Sequence, residues 1–476
     1  MSKRTKIIAT IGPASSSPTI IARLIRAGMD AARLNFSHGE RRDHTWRIQL
    51  IRNEAEKAGK QIAIIQDLQG PKLRVGVMQN DAVPLRRGDT LTLTTKKVTG
   101  TADLVSVTYP RLTKDLKTGD VVLLDDGRLE LRVTRKDAHC LTCKVVRGGV
   151  LKSHKGVNLP GARLSLPSLS RKDKDDLRFG VKQGVDYIAL SFVRSAKDIL
   201  LTRKFVRSLG ANIPIIAKIE KPEAIRNLDE IICAADGIMV ARGDLGVEMS
   251  PEQVPLLQKK IIEACHWEEK PVITATQMLE SMIENPQPTR AETSDVANAI
   301  LDGTDCVMLS GETAMGKYPV QAVSAMARIA LQVETSVNPW PPDEDVSGPD
   351  ESVAHAACRA AEEQHAQAIV TFTQSGSTAL LVSKHRPRMS IIAPTPFEHI
   401  ARRISLYWGV KPVVLRPKKT TDDMIAGVEQ IMLKKKLAKE HDVIVITAGV
   451  PIGVAGSTNM MKIHRVGEVK GLESKK

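Results

Sequence analysis

Short apolar runs alternate with longer amphipathic stretches through the first two-thirds of the chain. The runs are Lys6–Ile11, Ala32–Phe36, Ile62–Asp67, Tyr187–Phe192, Ile215–Glu220, Gly237–Ala241, Val272–Thr276 and Cys306–Leu309. Continuous, β-branched-rich runs of this length predict strands covered on both faces, as in a parallel sheet. Between them lie stretches such as 254–265, with apolar residues at helical spacing. Eight such β–α units predict an α/β fold built on a closed (β/α)8 TIM barrel, whose functional groups sit at the C-terminal strand ends. Asn35, Ser37, Asp67, Glu220, Asp244 and Thr276 all fall at such ends.

The rhythm breaks between Asp67 and Tyr187. There, alternating polar and β-branched residues with Asp-Gly turns predict an inserted antiparallel β domain. Growing from the barrel's active rim, it is placed to act as a lid. A Pro/Asp-rich linker begins at Trp340, and alternation resumes beyond it with a helix over 351–365 and a strand over 368–373. Further helices are expected over 378–385, 397–408 and 421–438, and strands over 390–393, 410–415 and 442–447. This predicts a C-terminal three-layer α/β domain. The expected division is 1–70 with 165–340 for the barrel, 71–164 for the lid, and 341–476 for the C-terminal domain.

One predicted strand departs from its apolar pattern at its C-terminal end. In Pro214-Ile-Ile-Ala-Lys-Ile-Glu220, Lys218 and Glu220 are two apart, so they share a face about 6.5–7 Å from each other. Burying both is costly unless each meets a partner or an ion. The next strand leads to Asp244 among glycines, which let a ligand approach the backbone. An ammonium with two carboxylates at strand ends suits a divalent metal held beside a phosphate or enolate.

Composition narrows the partners. At 476 residues two to four domains are expected. The net charge of +15 invites a nucleic-acid reading, but aromatics make up only 3% and basic residues are dispersed, so no nucleic-acid partner is expected. Such a field instead draws small anionic substrates. No apolar run approaches the roughly 20 residues of a membrane span, and the basic start is followed by a short strand rather than a signal peptide's apolar region. No membrane association and a cytoplasmic location are therefore expected. The lone Cys140-Leu-Thr-Cys143 has no second ligand pair, so its cysteines read as reduced thiols rather than a zinc site.

In order, these segments resemble the pyruvate kinase family over essentially the whole chain. The resemblance is carried by Thr5-Lys-Ile-Ile-Ala-Thr-Ile-Gly-Pro-Ala-Ser15, Gly28-Met-Asp-Ala-Ala-Arg-Leu-Asn-Phe-Ser-His-Gly39 and Lys155-Gly-Val-Asn-Leu-Pro-Gly161. Ile216-Ala-Lys-Ile-Glu220, Ala241-Arg-Gly-Asp-Leu-Gly246 and Ala275-Thr-Gln-Met-Leu279 complete it. It implies phosphoryl transfer from phosphoenolpyruvate to ADP, with Lys218, Arg33 and Thr276 catalytic. By resemblance, Glu220 and Asp244 hold Mg²⁺ or Mn²⁺, and Arg33, Lys218, Gly243, Asp244 and Thr276 bind the substrate. Asn35, His38, Arg74 and Lys155 lie on the nucleotide side. A homotetramer is implied. The alternative from the residues themselves is another metal-enolate barrel enzyme, of lyase or aldolase type, which leaves the lid unexplained.

One departure matters. Many members carry Thr-Lys-Gly-Pro-Glu after the third strand's Asp and use K⁺, ligated at positions matching Asn35, Ser37, Asp67 and the carbonyl of Leu68. This chain reads Asp67-Leu-Gln-Gly-Pro-Lys72. A tethered ammonium at Lys72 can replace a monovalent cation as a point charge, so no K⁺ requirement is expected. In the last domain, Thr373, Gln374, Ser375, Gly376, Ser377 and Thr378 form a strand–turn–helix start that offers N–H groups and hydroxyls to an anion. It resembles the family's effector-phosphate loop, with 449–459 facing it, and implies a sugar-phosphate or nucleotide effector.

Overall fold

A computed structural model describes residues 3–162, 165–337, 348–418, 420–450 and 458–468. Eight parallel strands close into a barrel in sequence order: β1 (Lys6–Thr10), β2 (Ala31–Asn35), β3 (Ala63–Asp67), β4 (Tyr187–Leu190), β5 (Ile215–Ile219), β6 (Gly237–Ala241), β7 (Val272–Ala275) and β8 (Cys306–Leu309). All eight are buried along their length except at Arg33 and Asn35, which are half-buried. The barrel interior is filled by Ile8, Ala31, Ile65, Ala189, Ile216, Met239, Ile273 and Met308, a packed core rather than a pore. Every predicted strand is found, and several stop one or two residues short of the predicted end because the last residue turns out of the ladder. Thus Glu220 and Thr276 lie just past β5 and β7.

The inserted region folds on its own core of Val75, Leu91, Leu93, Leu112, Leu131 and their neighbours. It holds a two-stranded antiparallel sheet and a six-stranded sheet. The latter is antiparallel apart from one pair, Thr90–Thr94 with Leu104–Ser106, which runs parallel.

In the C-terminal domain, four parallel strands, β9 (Ala368–Thr371), β10 (Ser390–Thr395), β11 (Val410–Val414) and β12 (Val443–Gly449), are joined by an antiparallel edge strand, β13 (Thr458–Arg465). The strand pattern did not predict β13. Apolar clusters on both faces of this sheet make the three layers. The helix expected over 397–408 ends at Arg403 and gives way to a 3-10 turn at Ile404–Leu406. That turn seats Leu406 in the base of the barrel interior, with its carbonyl accepting from the Cys306 thiol at 3.2 Å. The helix expected over 421–438 likewise stops at Lys434. Most of the loop expected to face the effector turn, 451–457, lies outside the described residues.

The helix Ser377–Lys384 spans from the predicted anion loop to the barrel. At its C-terminal end Lys384 and, just beyond, Arg386 each lie 2.9 Å from the fully buried Asp305 at the foot of β8. Asp305 also accepts the Val272 N–H at the foot of β7.

Candidate active site

The site begins with four charges on the barrel rim. Arg33, on β2, places Nε 2.6 Å from Asp67 Oδ2 and donates to Thr10 Oγ1 at 3.0 Å. Asp67 Oδ1 lies 3.2 Å from Lys218 Nζ, which reaches Glu220 Oε1 at 2.8 Å and donates to Ser191 Oγ at 2.8 Å. The remaining Glu220 oxygen accepts the Phe192 N–H at 2.8 Å. Lys218, Asp67 and Glu220 are all buried. Burial alone would drive the Lys218 ammonium toward neutrality, but Asp67, Glu220 and Asp244 outweigh it and hold its pKa above the ordinary lysine value. Burial would likewise raise Asp67, yet Lys218 and Arg33 keep it below the usual carboxylate range. Glu220 is pushed up by burial and by the charge of Asp244, beyond what Lys218 offsets.

Ser191 and Phe192 were not singled out in the sequence. Ser191 Oγ joins Lys218 to the Leu68 carbonyl, which it meets at 2.7 Å. Phe192 has φ 56°, a left-handed backbone rare for an aromatic residue, which accompanies the N–H bond to Glu220. A serine at the end of an apolar strand was the only signal available.

Asp244 is not at a strand end. The chain turns from β6 directly into the short helix Arg242–Glu248, and Asp244 lies in its first turn. Opposite it, Thr276 and Gln277 have φ of 67° and 53°. Consecutive left-handed non-glycine residues cost about 1–3 kcal/mol each and need an external hold. Gly243 N–H donates to Thr276 Oγ1 at 2.8 Å, and that hydroxyl donates to the Ala275 carbonyl at 2.6 Å. A Cβ on Gly243 would stand 3.3 Å from Thr276 Oγ1, tighter than most such contacts. The N–H expected to receive a substrate carboxylate is therefore occupied by the threonine hydroxyl.

The residues present fit a divalent cation. The charge of Asp244 helps raise the proton affinity of Glu220, which a positive ion would relieve, and an all-oxygen pair suits a hard cation that keeps waters and takes further ligands from substrate. No cluster of three or more His, Cys, Asp or Glu poised for a metal occurs among the described residues.

On the lid side, Arg74 pairs with Gly156 in an antiparallel bridge and donates to the His154 carbonyl at 2.8 Å. Lys155 lies 2.8 Å from Asp125. His38 sits at the end of β2's loop. Burial lowers its pKa first, and Lys72, Arg74, Arg33 and Lys172 lower it further. Lys72 is thus electrostatically close to the same loop. The predicted monovalent-ion ligands have other partners: Asn35 Oδ1 accepts the Ser37 N–H at 3.0 Å, and the Leu68 carbonyl takes Ser191.

Lys221 and Glu248, also unpredicted, form a partly buried pair at 2.6 Å, and Glu248 accepts from lid residue Asn158 at 2.8 Å. In the C-terminal loop, Gly376 has φ 99° and its N–H donates to Thr373 Oγ1 at 2.9 Å. Ser375 and Ser377 hydroxyls lie 3.1 Å apart, and Thr378 meets Thr458 at 2.6 Å. Gln374 is half-buried beside them. The six loop residues come together in the C-terminal domain, at the start of the helix Ser377–Lys384 rather than on the barrel rim.

Residues 2–323 match the family model "Pyruvate kinase, barrel domain", and residues 351–464 match "Pyruvate kinase, alpha/beta domain". The chain is 47% identical to the pyruvate kinase of Geobacillus stearothermophilus over 98% of its length and 81% of the relative's. It is 48% identical to that of Staphylococcus aureus (strain MRSA252), with the same coverage. A crystal structure of a pyruvate kinase from Cryptosporidium parvum superposes with a TM-score of 0.90 at 39% identity, covering 98% of this chain and 96% of that one. The chain belongs to the pyruvate kinase family, and its enzyme class is that of a phosphotransferase.

Proposed function

We propose that this protein transfers the phosphoryl group of phosphoenolpyruvate to ADP, giving pyruvate and ATP, as the last step of glycolysis. The observation that carries this reading is Lys218, an ammonium kept charged while buried among Asp67, Glu220 and Ser191. Phosphoryl transfer demands positioned positive charge more than covalent help. Lys218 bridges the phosphoryl group in flight, and Arg33, braced on Asp67, binds it in the ground state. The Gly243 and Asp244 N–H groups take the substrate carboxylate once the Thr276 hydroxyl turns to it. Mg²⁺ (or Mn²⁺) on Glu220 and Asp244 would supply charge neutralisation at the enolate oxygen. Asn35, His38, Arg74 and Lys155 face the nucleotide, His38 as a neutral imidazole.

Lys72 is read as the stand-in for K⁺, which makes the site of Asn35, Ser37, Asp67 and Leu68 dispensable. The turn 373–378 is read as a phosphate-effector loop, linked to the barrel through the helix Ser377–Lys384 and Asp305. Separate apolar cores support the division into barrel, lid (71–164) and C-terminal domain (341–476). Edge strand β13 exposes Met461 and Ile463, which supports self-pairing within a homotetramer. Among the described residues no helix is long and apolar enough to cross a membrane, and a cytoplasmic enzyme is the reading kept. A coupled assay for ADP-dependent pyruvate formation tests the function. Absence of product with Mg²⁺ and both substrates, with and without sugar phosphates, overturns it.

A further inference from the structure

We propose that Arg242 is a positioning residue for substrate capture, whose guanidinium imposes the left-handed backbone at Thr276 and Gln277. Its Nη2 donates to the Thr276 carbonyl at 2.9 Å and to the Gln277 carbonyl at 3.1 Å, and Nε donates to Thr276 at 3.3 Å. The outer edge of the same group is anchored by Asp295 at 2.8 Å and by Gln258 Oε1 at 3.3 Å. Gln258 is fixed in turn by Asp302 at 2.9 Å. Arg242 is buried, so this planar fork is held on both sides.

The arrangement explains why a threonine and a glutamine occupy backbone space that favours glycine. A left-handed pair turns two successive carbonyls to one side, where they need a common donor. Only a planar, multi-donor cation meets two carbonyls and a carboxylate together, and a lysine point charge does not. The residue after Arg242 completes the grip: Gly243 N–H holds the threonine hydroxyl. Segment 242–243 therefore fixes Thr276 by carbonyl and hydroxyl at once, beside Asp244. The inference deepens the proposed carboxylate subsite of Gly243, Asp244 and Thr276 and rests on that reading.

The test is a cycle of Arg242→Lys, Gln277→Gly and the double variant, with each protein checked as folded by circular dichroism and gel filtration. Arg242→Lys is expected to lower kcat/KM for phosphoenolpyruvate by about tenfold or more, with KM for ADP within about twofold. Gln277→Gly alone stays near the parent. In the double variant, glycine adopts the turn unaided and recovers at least about a third of the lost log kcat/KM. A fold-wide defect would not be repaired by removing the Gln277 side chain. The proposal is overturned if Arg242→Lys stays within about threefold of the parent, or if the double variant is no better than the single. Should Arg242→Lys fail to fold, Asp295→Asn loosens the guanidinium without removing it; the same selective loss supports the proposal and unchanged kinetics overturn it. Inactivity of the unmodified enzyme would sink the functional reading by itself. Calorimetric binding of oxalate, a planar enolate mimic, then reads the cycle instead, and equal affinity in parent and Arg242→Lys overturns the inference.

Discussion

Replacing Lys218 by Met removes the charge on which the proposed chemistry rests. In the present geometry Nζ stands 2.8 Å from Glu220 and 3.2 Å from Asp67. At an effective dielectric of about 20, each contact carries roughly 5–6 kcal/mol of Coulomb attraction. Desolvation opposes most of it, and breaking such a buried pair typically costs about 3–5 kcal/mol. The strain falls unevenly. Asp67 keeps Arg33 at 2.6 Å, whereas among the described residues Glu220 keeps only the Phe192 N–H. Glu220 therefore rises further in proton affinity, and the variant unfolds at lower urea.

Turnover separates this structural cost from the catalytic one. Loss of a cation that acts in the transition state lowers kcat by about 10³–10⁵, by analogy with other phosphoryl-transfer cations. Dissociation of phosphoenolpyruvate, measured by fluorescence or calorimetry, changes by less than about tenfold, because Arg33 and the 243–244 N–H groups remain. Mn²⁺, followed by electron paramagnetic resonance, binds at least as tightly as to the parent, since the ammonium no longer competes for Glu220. Folded protein with kcat within about tenfold of the parent would refute the role assigned to Lys218.

Three other outcomes follow from the same geometry. Turnover in Na⁺- and K⁺-free buffer is expected to change less than about twofold on adding K⁺, while Lys72→Glu creates a K⁺ requirement; a large K⁺ response of the parent excludes the tethered-cation reading. Burial, aided for His266 by Arg386 and Lys384 and for His385 by His355, pushes these junction histidines down to about 2 and about 4. Both pKa values lie below the unfolded value, so the stability they contribute is complete above about pH 6.5 and drains as pH falls toward 4. At pH 5 each costs about 2 kcal/mol, from about 1.5 pH units at 1.36 kcal/mol each, and a urea midpoint unchanged between pH 7 and 5 would contradict this. Leu406→Ala empties the foot of the barrel and is expected to cost about 2–5 kcal/mol, seen as earlier unfolding of barrel and C-terminal domain together.

Much of the barrel was legible because parallel strands buried on both faces read as unbroken apolar runs. β6 and β8 coincide with their predicted limits, Gly237–Ala241 and Cys306–Leu309. β13 escaped notice because an edge strand with mostly exposed side chains carries no such run. The break after Arg403 was also invisible, since it answers a tertiary demand, the seating of Leu406 under β8. In the site, Lys218 and Glu220 announced themselves as charges at the end of an apolar strand. Arg242 did not, because two of its partners are backbone carbonyls, which every residue has, and the others, Gln258 and Asp295, lie far along the chain. Ser191 and Glu248 were hidden for the related reason that a single polar residue at a strand or helix end is common.

Where local rules fail on the rim, they fail beside the groups given chemical roles. Phe192, Thr276 and Gln277 all take left-handed backbone without glycine. The first donates its N–H to Glu220, the second accepts the Gly243 N–H on its hydroxyl, and the third accepts from Arg242 on its carbonyl. On the lid side Asp125 and His154 do the same, one facing Lys155 and the other receiving Arg74. Such conformations persist only where surrounding structure over-determines them. Barrel strands and a buried guanidinium supply that constraint here, so under the proposed function the backbone, and not only the side chains, is shaped for the substrate. Left-handed residues also occur in ordinary turns, such as Asn80, Asp81 and Lys436, so it is the tie of each rim residue to a charged or hydrogen-bonding neighbour, not the strain alone, that marks the end of β5.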